Sequence, residues 1–180
     1  ETTLAAIERA EAEGVSILSL PESGLTGYFP DEDAAREHSM ELCDPRIDTL
    51  LHATRDRSLT YIVGINERRG PELRNTAIIA HGGAILGTYS KAFPCYRYFT
   101  PGRDFPVFEK DGVTFGVVGV GRRVEPSQVR VVVGGQHRPE LFGQVDQQRP
   151  LLLTEQDRRP VAVTLEGLGG PSSQEHRVRR

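Results

Sequence analysis

The sequence predicts a mixed α/β domain, a sheet with helices on one face. Three observations lead there. Helix-like patterns dominate the first third of the chain, short apolar runs bounded by Gly and Pro follow them, and 180 residues suffice to bury one sizeable core. With 37% hydrophobic and 26% charged residues, the composition reads as soluble and globular.

The elements follow in order. Thr2 or Thr3 caps a first helix over 2–13, with Leu4, Ile7 and Ala10 on one face and Gly14 as its stop. Residues 15–20, apolar and ended by Pro21, read as a buried strand. Asp31 caps a second helix running to about Leu42. Asp44-Pro45 opens a third, with Pro at the first helical position and Ile47, Leu50 and Leu51 as its apolar stripe. Residues 59–65 and 76–80 read as strands, and Gly82-Gly83 turns the chain into another over 84–89. A further strand covers 113–118, after the turn Asp111-Gly112.

Composition changes near residue 121. Residues 1–121 hold eight Ile, five Tyr, two Lys, two Asn and no Gln, whereas 122–180 hold seven Gln and ten Arg but no Ile, Tyr, Lys, Asn or Cys. Runs at 129–133 and 161–165 have strand composition, with no helical periodicity between them. Two readings stand. One is a flexible polar extension; the other is a stretch translated out of frame from GC-rich DNA, since the missing residue types mostly have A/T-rich codons. The expected organisation is thus a domain over 1–121 and an atypical tail over 122–180. The lack of an initiating Met reads as a fragment or a processed piece.

Two ionisable residues stand in recognisable frames. Glu22 closes Ile17-Leu18-Ser19-Leu20-Pro21-Glu22, with Gly24-Leu25-Thr26-Gly27-Tyr28 after it. Lys91 closes Gly87-Thr88-Tyr89-Ser90-Lys91, preceded by Asn75-Thr76-Ala77-Ile78-Ile79 and followed by Phe99-Thr100-Pro101-Gly102 and Phe105-Pro106-Val107-Phe108. A carboxylate and an ammonium at the ends of apolar strands suit hydrolysis of an amide or nitrile by a thiol. In this order and spacing the segments resemble the carbon–nitrogen hydrolase (nitrilase) superfamily over roughly residues 1–121.

The resemblance implies an α-β-β-α sandwich, here truncated and followed by an irregular C-terminal tail. It also implies a Glu-Lys-Cys mechanism with no metal or organic cofactor, acting on a small amide, carbamoyl compound or nitrile. In such a site the thiolate attacks the C–N carbon. Glu22 carries over as general base for the thiol and later for water, and Lys91 as the cation that stabilises the tetrahedral oxyanion. The resemblance leaves room for a homo-oligomer.

This chain departs from that pattern where the chemistry is concentrated. Gly116-Val117-Val118 begins the nucleophile strand, but the Cys position holds Val120, followed by Gly121, Arg122 and Arg123. No Glu stands between Lys91 and Pro101, Glu125-Pro126 reverses the usual downstream Pro-Glu, and no strand precedes the first helix. Cys95, four residues after Lys91, is an alternative thiol, although Pro94 opposes a helix that would align the two. Cys43 falls in an interhelix turn. The sequence therefore predicts a carbon–nitrogen hydrolase by family that is inactive in this chain. The alternative is a non-catalytic relic or small-molecule-binding module of the same fold. Marginal folding is expected as well, from apolar surface left uncovered.

Other classes are disfavoured. A net charge of -3 gives no footprint for nucleic acid or an anionic membrane. No apolar run approaches the roughly 18 residues of a membrane span, and no signal-peptide pattern opens the chain. Two cysteines make no disulfide framework and fit a cytoplasmic setting. The five histidines lack metal-ligand spacing. Gly119-Val120-Gly121 fails as a nucleotide loop, because Val124 replaces the third glycine and Pro126 interrupts the required helix.

Overall fold

The computed structural model describes residues 2–122 and 125–134, with backbone alone from residue 120 onward. Three helices and seven strands lie in this span: α1 (Thr3–Ala12), β1 (Ile17–Ser19), α2 (Glu32–Glu37), α3 (Pro45–Ala53), β2 (Thr60–Arg69), β3 (Glu72–His81), β4 (Ala84–Ser90), β5 (Val107–Lys110), β6 (Val113–Arg122) and β7 (Glu125–Gly134). One sheet has the order β1-β2-β3-β4, the other β5-β6-β7. Only β1 and β2 pair in parallel; every other neighbour is antiparallel.

Period-2 alternation along the first sheet separates two cores. On one face Leu18, Tyr61, Val63, Ile65, Ile78 and Ala80 meet Ile7 and Ala10 of α1 and Ile47 of α3. On the other, Ile17, Ile62, Ala77, Ile79 and Tyr89 meet Phe115 and Val117 of β6. The described layers are thus helices, sheet, sheet, as expected of a sandwich of the carbon–nitrogen hydrolase type.

The caps act as the sequence suggests. Thr2 Oγ1 accepts from Ala5 N, Asp31 from Ala34 N, and Asp44 from Arg46 N ahead of Pro45. Helix α2 is shorter than expected, ending at Glu37 rather than near Leu42. Met40 is drawn out of the helix to the edge of β2, where its N donates to Asn66 O (2.9 Å) and its O accepts from Arg68 N (2.7 Å). Strands β2 and β3 are longer than expected, since Asn66, Glu67, Arg68 and Arg69 continue the ladder against Asn75, Arg74, Leu73 and Glu72. Strand β5 was not foreseen, because four residues with exposed Val107 and intermediate Phe108 show no buried run. Run 129–133 lies within β7, paired with β6; run 161–165 lies outside the described residues.

The free edge of β2 explains where the first site loop must go. Strand β1 covers only Thr60, Tyr61 and Ile62 of that edge. Beyond it, Leu20 N donates to Ile62 O (2.8 Å) and Leu25 N to Gly64 O (3.1 Å), and Met40 takes over at Asn66. Backbone groups of β2 are therefore satisfied by the chain around Pro21-Glu22 instead of by a strand.

Candidate active site

Glu22 sits in a turn wound tightly against that edge. Gly24 N donates to Pro21 O (3.0 Å) and Gly27 N to Ser23 O (2.7 Å), while Ser23 takes φ 54°. The turn can approach so closely because residue 64 has no side chain: a Cβ there would stand 2.4 Å from Ser23 N. Asn66 fastens the rest of the loop. Ser23 Oγ donates to its Oδ1 (2.9 Å), its Nδ2 to Gly27 O (3.0 Å), and its backbone N to Thr26 Oγ1 (2.9 Å).

Lys91 follows β4 directly. Its N donates to Asn75 O (2.8 Å), and its O accepts from Gly102 N (3.0 Å). Gly102 must be glycine for that bond, since a Cβ would lie 2.0 Å from Ser90 O. The lysine stem runs over β6, where a Cβ on Gly119 would come within 2.9 Å of Lys91 Cγ. Tyr89 Oη ties the two segments together, accepting from Ala92 N (3.3 Å) and Gly119 N (3.2 Å).

These supports bring the two charges together. Lys91 Nζ lies 3.0 Å from both Oε1 and Oε2 of Glu22, across 69 residues of sequence, and the side chains are only 2% and 6% exposed. Asn75 Nδ2 donates to Glu22 Oε1 at 2.7 Å. On the other face of the sheet, a second buried carboxylate, Glu67, accepts from Thr76 Oγ1 (2.7 Å) and from Arg69 Nε and Nη2, and Thr76 Oγ1 meets Ser90 Oγ at 3.0 Å.

The sequence-predicted pair is thus assembled, and β6 reaches it through Gly119. Val120, where the resemblance puts the sulfur, follows in a strand whose pairing with β7 shifts register between Val120 and Arg122. Cys95 and Cys43 are free and exposed, and Cys43 Sγ donates to Glu41 Oε2 at 3.7 Å. Sequence reasoning gave no role to Asn66, Asn75, Glu67, Tyr89 or Gly119. Asn75 stood inside a quoted motif, but only the β2–β3 register shows what it holds. Among the described residues no cluster of His, Cys, Asp and Glu could hold a metal, and no helix is long and apolar enough to cross a membrane.

A two-sheet sandwich carrying a buried carboxylate–ammonium pair at its strand ends is the architecture of the carbon–nitrogen hydrolase superfamily. The carbon-nitrogen hydrolase family model matches residues 1–137, and the chain belongs to that family. The glutamine-dependent NAD(+) synthetase of Aquifex aeolicus is 29% identical over 133 residues, 65% of this chain and 23% of that protein. The synthetase of the same name from Xylella fastidiosa is 30% identical over 128 residues, 66% of this chain and 23% of its own length. The chain therefore spans under a quarter of these relatives. Among solved structures, the glutamine-dependent NAD+ synthetase of Acinetobacter baumannii, in complex with ADP, matches with a TM-score of 0.52 at 23% identity, over 64% of this chain and 23% of that one. A CN-hydrolase superfamily protein of Xanthomonas campestris with an arsenic adduct in its active site gives 0.51 at 15% identity, over 63% and 44%. Both likenesses concern the fold.

Proposed function

We propose that Glu22 and Lys91 are the general base and the oxyanion-stabilising cation of a carbon–nitrogen hydrolase site, and that this chain binds a small amide without turning it over. The observation that carries the reading is the buried 3.0 Å pair. A buried ion pair is a poor device for stability, since apolar residues of similar volume commonly do as well or better. Its value lies in chemistry: a carboxylate able to accept a thiol proton beside a fixed positive charge meets the needs of attack on an amide carbon.

Glutamine is the first substrate to try, because the relatives in the comparison are glutamine-dependent enzymes. Other simple amides, carbamoyl amino acids and nitriles complete the panel. Valine at 120 offers no nucleophile, which favours binding without hydrolysis in the chain as it stands.

Ammonia release tests the proposal. The unaltered chain is expected to stay at background, and Val120→Cys to release ammonia in a manner abolished by Glu22→Gln or Lys91→Met. Turnover by the unaltered chain that survives thiol alkylation would overturn the mechanism. An inert Val120→Cys chain that still binds glutamine would leave the binding module as the function.

A further inference from the structure

We infer that Asn75 is a positioning residue for this site. It orients the Glu22 carboxylate so that Oε1 is occupied and Oε2 keeps room for a proton. The inference rests on reading Glu22 as the proton acceptor, and it adds a residue to which no role in the reaction has been given.

The geometry is specific. Oε1 of Glu22 accepts from both Asn75 Nδ2 (2.7 Å) and Lys91 Nζ (3.0 Å), whereas Oε2 accepts, among the described residues, from Lys91 Nζ alone (3.0 Å). A carboxylate oxygen with two donors has little capacity left, so an incoming proton goes to the other oxygen. Asn75 also holds the second member of the pair, since its carbonyl accepts the backbone N–H of Lys91 at 2.8 Å. One buried residue, 6% exposed, thus touches the acid through its side chain and the ammonium-bearing residue through its main chain.

Its placement across the sheet is equally informative. Asn75 lies directly opposite Asn66 in the β2–β3 register. Asn66 grips the loop that carries Glu22, through Ser23, Thr26 and Gly27. The two asparagines divide the work: one fixes the loop, the other turns the carboxylate at its head. An amide suits the second task because it is neutral. An Asp at 75 would compete with Glu22 for the ammonium, and a Lys would compete with Lys91 for the carboxylate.

The chain allows a clean test because Asn66 and Asn75 are its only asparagines and Lys91 and Lys110 its only lysines. In the asparagine-selective ¹⁵N spectrum of the whole chain, Glu22→Gln is expected to shift the Asn75 side-chain amide pair and leave that of Asn66 in place. In Asn75→Leu, which keeps the backbone carbonyl and the same branching of side-chain heavy atoms, acylation of Lys91 is expected to accelerate about tenfold relative to Lys110, the scale of losing one hydrogen bond to a charged group. Lys110, held in an exposed contact with Asp111, serves as the internal reference. An Asn75 amide indifferent to Glu22→Gln would overturn the inference, whether or not the Leu variant folds; so would an unchanged Lys91 rate in a folded Leu variant. Neither measurement needs turnover, so failure here is separate from failure of the ammonia assay.

Discussion

Gly64 shows how much of the site depends on a side chain that is not there. An alanine Cβ at 64 would stand 2.4 Å from Ser23 N and 3.0 Å from the Glu22 carbonyl carbon, both backbone atoms that cannot rotate aside. Gly64→Ala is therefore expected to cost about 1–3 kcal/mol by overpacking and to push the Glu22 turn off the β2 edge. Chemical denaturation reads the first effect, and faster acylation of Lys91 reads the second. An unchanged denaturation midpoint would show that the turn has slack which the geometry denies. Gly119 works in the same sense: its missing Cβ leaves the Lys91 stem space to cross β6 and reach the carboxylate.

At the scale of elements, the capped helices are a separate source of stability. The guanidinium of Arg46, followed by its backbone N–H, holds the Asp44 carboxyl down from the ordinary 3.8 to about 2. A carboxyl depressed on folding stabilises the protein above its unfolded pKa, and that contribution is lost as pH falls toward the folded value. Asp44→Ala is expected to cost about 1 kcal/mol at neutral pH, with the gap to the parent closing between about pH 4 and pH 2; a gap independent of pH in urea titrations would contradict this. Elements with an unbroken apolar signal were legible in the sequence: α1, α3, β1, β4 and β6 stand close to where their patterns put them. The missed pieces share a cause. The outer halves of β2 and β3 are built from Asn66, Glu67, Arg68 and Arg69 against Glu72, Leu73, Arg74 and Asn75, so the ladder continues where the hydrophobic pattern stops. Helix α2 was overextended because Met40 looks like a helix residue until the vacant edge of β2 claims it. The site was legible to the same degree. Glu22 and Lys91 carried flanking motifs, whereas Asn75 and Asn66 gain their meaning from cross-strand register, which no local pattern reveals.

Across the whole molecule, the fold closes distances that the sequence leaves open. Two sheets packed through Tyr89, Phe115 and Val117 bring residue 91 onto β6, and the edge of β2 carries residue 22 to meet it. Several apolar side chains remain in solvent, among them Phe93 (76% exposed), Val107 (69%) and Phe105 (61%). The central claim is that Glu22 and Lys91, 69 residues apart, form one buried and coupled unit. A double-mutant cycle of Glu22→Gln and Lys91→Met, read by urea unfolding at neutral pH, tests it most directly. Each single change is expected to cost about 3 kcal/mol or more by stranding its partner, and the pair together much less than the sum, for a coupling of about 2 kcal/mol or more. A coupling below about 0.5 kcal/mol, as for an exposed ion pair, would contradict the account.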